Sequence, residues 1–302
     1  MNLVLSIDGG GQRGVIPAVV MRRLDTMVPG WRREIVLRVG TSAGGLNVLA
    51  EAAGLSPFDM VAVYEQRGRA IFKRSIWDKL KDTFGVTAAM YDIAPLEETV
   101  RLLFGEKTFA EVPPVAVTAF DLDAETNQGR MWKPKVFHNV PGPDVADLSV
   151  PLWKAALYTS AAPVFFPDVD GFVDGGVWAG NPSREAIGLM LDRRYAKPYS
   201  LGEFRLLSLG TGRVPYWMAG GSDRGVVDYG ADLIRMPLAA SEAAAHYLCE
   251  QLLGPHGGSW YYRWQGVLPE PWDMDDADLT GEMVTWAWSV DLDPLARWLE
   301  RS

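Results

Sequence analysis

The chain has 302 residues, 48% hydrophobic and 22% charged, enough apolar content for one sizeable core and too balanced a mixture for a disordered, collagenous or membrane-spanning protein. Its formal charge of −9 at pH 7 disfavours nucleic acid as a partner and, averaged over the surface, disfavours anionic membranes. The single cysteine, Cys249, can form no internal disulfide, which agrees with a reducing compartment and predicts a buried structural thiol.

The first element is a strand-like run, Leu3 to Ile7. The residues before it carry no basic region and the apolar stretch is too short for a leader, so a cytoplasmic location is expected. The run ends in Asp8-Gly9-Gly10-Gly11-Gln12-Arg13-Gly14. Small residues here let backbone N–H groups crowd around a developing negative charge, as an oxyanion hole requires. The same residues also satisfy the G-x-G-x-x-G dinucleotide pattern. Against that reading, Asp8 would set a carboxylate beside a pyrophosphate, and the next strand ends without the acidic residue that holds a ribose.

That next strand, Ile35 to Val39, runs into Gly40-Thr41-Ser42-Ala43-Gly44, the G-x-S-x-G pattern of a serine on a sharp strand-to-helix turn. Gly40 and Gly44 leave room where β-carbons would collide. Leu46, Leu49 and Ala53 at helical spacing predict a helix over 43–53, stopped by Gly54 with Pro57 soon after. Ser42 would then sit at a helix N-terminus, where donors and dipole favour an anion.

Residues 67–84 form a basic island in an acidic protein, with Arg67, Arg69, Lys73, Arg74, Lys79 and Lys81 against Asp78 and Asp82. Phe72, Ile76, Leu80 and Phe84 recur every fourth residue beside Trp77. As a helix, this segment would set an apolar stripe between basic flanks, suiting either peripheral contact with a membrane or an ordinary surface helix. Further strands are expected at 112–120 and 204–209. Strands alternating with helices argue for an α/β fold, a three-layer α/β/α sandwich with a mainly parallel sheet, whose sites lie beyond strand C-termini. No linker, repeat or low-complexity tract divides the chain, so one domain over 1–302 is expected.

A nucleophilic serine needs a base, and the chain has three histidines, His138, His246 and His256. The first reads as a strand end, the second as helical, the third as a loop residue. A carboxylate is the better candidate. Val173-Asp174-Gly175-Gly176 follows an apolar stretch, and its glycines allow close approach to Asp174, although a turn aspartate has the same appearance. The acidic run Asp273, Asp275, Asp276 and Asp278 lacks the glycine and glutamate of a calcium loop, carrying Asp278 and Val284 at those places. With no spaced His/Cys set either, no metal is expected. Six of the twelve tryptophans, Trp260, Trp264, Trp272, Trp286, Trp288 and Trp298, lie late in the chain; core packing is the commoner role, a lipid-facing or acyl pocket the other.

Taken together, the motifs resemble those of the patatin-like phospholipases, serine acyl hydrolases with a Ser/Asp dyad. Asp8 to Gly14 is similar to the family's glycine-rich oxyanion loop, Gly40 to Gly44 to its nucleophile elbow, and Asp174-Gly175-Gly176 to its DGG motif. The stretches Trp153 to Ala156, Ser160 to Pro167, Ser208 to Gly212 and Met274 to Ala277 extend the likeness over nearly the whole chain. The resemblance implies a three-layer α/β/α fold, Ser42 as nucleophile, Asp174 as base, and the amides of Gly10 and Gly11 as oxyanion donors. It further implies that Arg13 helps hold anionic substrate or the loop. Gly180 stands where members carry a first asparagine, which bears on local loop packing. The implied activity is cofactor-free hydrolysis of lipid or phospholipid acyl esters. The alternatives are an α/β-hydrolase with His256 as base and a nucleotide- or lipid-binding protein with a vestigial site.

Overall fold

The structure, a computed structural model, describes residues 2–73, 88–142, 146–194 and 198–301, except 215, 216, 219, 222, 224, 225, 230 and 231. The chain runs β1 (Asn2–Ile7), α1 (Val15–Met27), β2 (Ile35–Thr41), α2 (Ala43–Ala52), α3 (Pro57–Ile71) and α4 (Ala94–Phe104). It continues through β3 (Val115–Thr126), β4 (Gly129–His138), α5 (Leu152–Ser160), β5 (Phe172–Asp174), α6 (Gly176–Ala179) and α7 (Ser183–Leu191). Last come β6 (Phe204–Leu209), α8 (Val226–Tyr229), α9 (Asp232–Leu253), β7 (Tyr261–Trp264), α10 (Thr280–Ser289) and α11 (Asp293–Glu300).

The strands make one sheet in the order β4-β3-β2-β1-β6-β7, with β5 added on β3. Pairings β1–β2, β1–β6, β2–β3 and β6–β7 are parallel, while β4 and β5 run antiparallel to β3. This is an α/β fold with a mainly parallel sheet. β1 is apolar at nearly every position because it is central and covered on both faces, as parallel strands require. Leu3, Leu5 and Ile7 face one core, shared with α1, α2 and α5, and Val4 faces the other, shared with α7 and the end of α9. Helices on both faces make three layers.

The placement of β5 matters most for function. Along one flank of β3, residues 115–118 pair with Arg38–Thr41 of β2, and residues 119–121 then pair with β5, Ala119 opposite Asp174. β5 therefore takes over where β2 ends. Asp174 is carried to the place where β2 turns into Ser42.

The expected strands at 3–7, 35–39 and 204–209 are present, and the third in order begins later and runs longer than 112–120, as Val115–Thr126. Of β4 only the end was anticipated, at His138, and β7, which falls among the late tryptophans, was not. α3 begins with a capping box in which Ser56 and Asp59 exchange bonds of 2.9 and 3.2 Å, and it stops at Ile71. The notion of one basic helix over 67–84 is thus corrected at its start. Phe72, first of the expected stripe, packs on Tyr91 and Phe166 with ring centroids 5.5 and 5.9 Å apart. Arg67 and Arg69 pair with Glu98 and Asp278. Arg74, Ile76, Trp77, Asp78, Lys79, Leu80, Lys81, Asp82 and Phe84 lie outside the described residues. Among the described residues no helix is long and apolar enough to cross a membrane.

Candidate active site

Ser42 stands at the junction of β2 and α2 with φ 54° and ψ −127°, a left-handed backbone that a non-glycine residue adopts only at a cost of about 1–3 kcal/mol. The turn holds because its neighbours are glycines. A β-carbon on Gly40 would collide with the Gly44 carbonyl, and one on Gly44 with the carbonyls of Ile7 and Asp8. The Ser42 amide donates to Thr159 Oγ1 at 2.9 Å. Thr41, just before it, donates to the Ala179 carbonyl at 2.6 Å and lies 2.7 Å from Thr118 Oγ1. The elbow is held from three elements.

Asp174 is 4% exposed. Its Oδ1 accepts from the Gly176 amide at 2.7 Å, and the nearby Ser42 side chain favours its charged form. Burial pushes its pKa up to about 7, against the Ser42 side chain and the Gly176 amide, which lower it. Gly175 has no space for a side chain because Thr118 fills it. Ser42 and Asp174, 132 positions apart in sequence numbering, are thus brought side by side, since Thr41 and Asp174 pair with the adjacent β3 residues Thr118 and Ala119.

The glycine loop follows β1. A β-carbon on Gly9 would lie 3.2 Å from the Ser42 β-carbon, so the loop runs directly beside the serine. The Gly9 amide donates to the Gly180 carbonyl at 3.0 Å, and its carbonyl accepts from Thr211 Oγ1 at 2.8 Å. A side chain on Gly10 would strike Thr211. At Gly11, where φ is +56°, it would strike the Met274 carbonyl. That carbonyl accepts from the Gln12 amide at 2.7 Å. Among the described residues the amides of Gly10 and Gly11 have no acceptor. Gly14 has no room for a β-carbon, packed against Ala43 and the Tyr64 hydroxyl, and Asn47 donates to its carbonyl at 2.9 Å.

Asp8 closes β1 and is 2% exposed. Arg263 of β7 grips it with Nη1 at 3.1 Å and Nη2 at 2.5 Å, and also reaches Glu242 at 2.8 Å and Ser208 Oγ at 2.7 Å. Burial works against the Arg263 charge, but Asp8 and Glu242 outweigh it and hold its pKa above the usual guanidinium range. Thr159, Thr211, Glu242, Arg263 and Gln265 were not singled out from the sequence. Only Thr211 had a local signal, the Gly210-Thr211-Gly212 turn after β6.

Arg13 is half-buried at the turn into α1, and its charge acts on Asp276 of the acidic loop. That loop is occupied with internal and inter-element bonds, Asp276 Oδ2 accepting from the Asp273 amide at 2.6 Å and Asp275 from Tyr91 at 2.6 Å. The histidines are engaged elsewhere. His138 donates its amide to Asp147, His246 Nδ1 lies 2.9 Å from the Tyr261 hydroxyl, and His256 Nδ1 accepts from the Arg263 amide at 3.1 Å. Gly180 packs on α9, where its amide donates to Ser241 Oγ at 3.1 Å. Trp264, Trp272 and Trp298 are buried, whereas Trp288 is exposed.

An α/β sandwich with an elbow serine near a buried carboxyl, beside a glycine loop, defines a recognisable class. Residues 5–187 match the family described as patatin-like phospholipase. The chain is 31% identical over 263 residues to a cGAMP-activated phospholipase of Pseudomonas aeruginosa, covering 83% of this chain and 75% of that protein. It is 30% identical over 204 residues to a cGAMP-activated phospholipase of Escherichia coli, covering 62% of this chain and 54% of that one. To Patatin-2-Kuras 4 of Solanum tuberosum it is 28% identical over 249 residues, covering 70% of this chain and 63% of that one. The chain belongs to the patatin-like phospholipase family. It spans about half the length of the Escherichia coli relative and less than two thirds of the potato protein.

Proposed function

We propose that the protein hydrolyses acyl esters of lipids or phospholipids, with Ser42 as nucleophile and Asp174 as its base. The observation that carries this reading is the elbow serine beside a buried carboxyl whose pKa is raised to about 7, since a base is most effective when its pKa lies near the working pH. Ser42 Oγ attacks the acyl carbonyl carbon while its proton passes to Asp174. The carbonyl oxygen, now an oxyanion, accepts from the Gly10 and Gly11 amides. Collapse expels the alcohol, which takes the proton from Asp174, and leaves an acyl-serine. Water then attacks, Asp174 takes its proton, and Ser42 leaves with that proton as the fatty acid departs. Arg13 contributes positive charge at the loop, where an anionic head group is drawn. No metal or cofactor enters this scheme.

The test is fluorophosphonate labelling with peptide mapping, beside hydrolysis of phospholipid vesicles with and without EDTA. Because two relatives are named for activation by cGAMP, each assay is run with and without that nucleotide. An adduct confined to Ser42, absent in Ser42→Ala and lost in Asp174→Asn, with hydrolysis indifferent to EDTA, is the expected result. An adduct that persists in Asp174→Asn and is lost in His256→Ala would overturn the dyad. Wild-type protein inert in every arm would overturn the hydrolase reading.

A further inference from the structure

Of the residues that hold the glycine loop, Thr211, Arg263 and Met274 come from beyond the family match, which ends at residue 187. We infer that Arg263 is a positioning residue for the oxyanion loop, fixing the aim of the Gly10 and Gly11 amides through Asp8; the inference rests on the proposed hydrolase reading. Asp8 is the last residue before the loop, and both of its oxygens are taken by one planar guanidinium at 3.1 and 2.5 Å. A two-pronged bond of this kind fixes direction as well as distance. The guanidinium is itself fixed by Ser208 and by Glu242, and Glu242 also accepts from Gln265 Nε2 at 2.6 Å. Gln265 Oε1 in turn accepts from the Gly212 amide at 3.0 Å, next to the Thr211 that holds the Gly9 carbonyl.

The network matters because Gly10 and Gly11 have no anchor of their own. Their amides are unpartnered among the described residues, so their direction is set by what flanks them. On one side stand Asp8 and Gly9, held by Arg263, Thr211 and Gly180; on the other stands Gln12, whose amide is held by the Met274 carbonyl. A buried ion pair is weak grounds for stability, since apolar side chains of equal volume often serve as well. What apolar side chains cannot supply is a directional hold on a carboxylate one residue from the loop.

The experiment compares wild type, Arg263→Lys, Asp8→Asn and the double variant in the full chain. Each is read as kcat per serine titrated to completion with fluorophosphonate, as KM, and as deuterium uptake of the peptide spanning Gly9 to Arg13. Lysine keeps the charge but loses the fork. The expected result is a fall of roughly 10- to 100-fold in kcat per titrated serine, the scale of a displaced oxyanion donor, with KM within about twofold and faster exchange in the loop. The double variant should be no worse than the poorer single one, as residues in contact are non-additive. Glu242→Gln, at a partly exposed site, gives a milder version of the same fall should the buried variants not fold. A lowered Tm with kcat per titrated serine and loop exchange both unchanged would overturn the inference. Wild type without turnover would overturn the hydrolase reading instead, and loop exchange alone would then decide whether Arg263 holds the loop.

Discussion

Asp174 is costly where it sits. Its carboxyl is raised from an ordinary value of 3.8 to about 7 by burial, so between those pH values the folded protein binds a proton that the unfolded chain releases. Stability therefore falls as pH rises from about 4 to about 7, and above that the full penalty applies, at most on the order of 4 kcal/mol for three units of pKa. Two outcomes follow. kcat/KM should rise with pH along an acid limb centred near 7, because the base must be ionised, and a pH-rate profile checks this. Asp174→Asn, while losing activity, should raise Tm at pH 8 by a few degrees and much less at pH 5. Equal gains at both pH values would mean that the buried charge is not the cause. At this scale the sequence was informative about what the chain displays in motifs: Ser42, Asp174 and the framing glycines each sit in a local pattern. It was silent about their supports. Thr159 lies 117 residues from Ser42, and Arg263 lies 255 from Asp8; pairings at that separation leave no periodicity to read.

Elements tell the same story through their exposure. The central strands were legible because burial on both faces demands unbroken apolar runs. Of β4 only the end at His138 was, since Gly129 to His138 is mostly exposed, carries Arg130, Lys133 and Lys135, and contains Pro134, all tolerated only at a sheet edge. β7, Tyr261–Trp264, is too short for alternation to show. The junctions between elements were legible for a different reason: steric necessity dictates glycine. Gly44→Ala tests this, because the added methyl would meet the Ile7 and Asp8 carbonyls, backbone that cannot move aside. The expected outcome is a loss of more than about 2 kcal/mol in urea unfolding, beyond what helix propensity would return. Turnover per folded molecule should fall with it, as the elbow is pushed off β1. Gly54→Ala is the control. It has open space but φ +94°, so it should cost only about 1 kcal/mol and leave turnover intact.

Across the whole molecule, the site gathers at the C-terminal ends of the strands, while the opposite end of the sheet is closed by the last helix. There Trp298 of α11 is 2% exposed, donates to the Gly258 carbonyl at 2.6 Å, and lies 3.6 Å beneath the Arg205 guanidinium. Arg205 also donates to the Ser259 and Trp298 carbonyls. It meets no carboxylate among the described residues, so the indole face and those carbonyls are what offset its burial. Removing the ring should therefore do more than open a cavity. Trp298→Ala is expected to cost about 3–5 kcal/mol in urea unfolding, with further loss from the stranded guanidinium. Arg205→Met in the same background should recover part of it, since an unpaired buried charge is worse than none. Because Ser42 stands at the other end of β1 and β2, kcat per titrated serine should stay within about twofold of wild type. A large drop in that quantity without a change in stability would mean that the two ends of the sheet are coupled, and that α11 serves the site as well as the core.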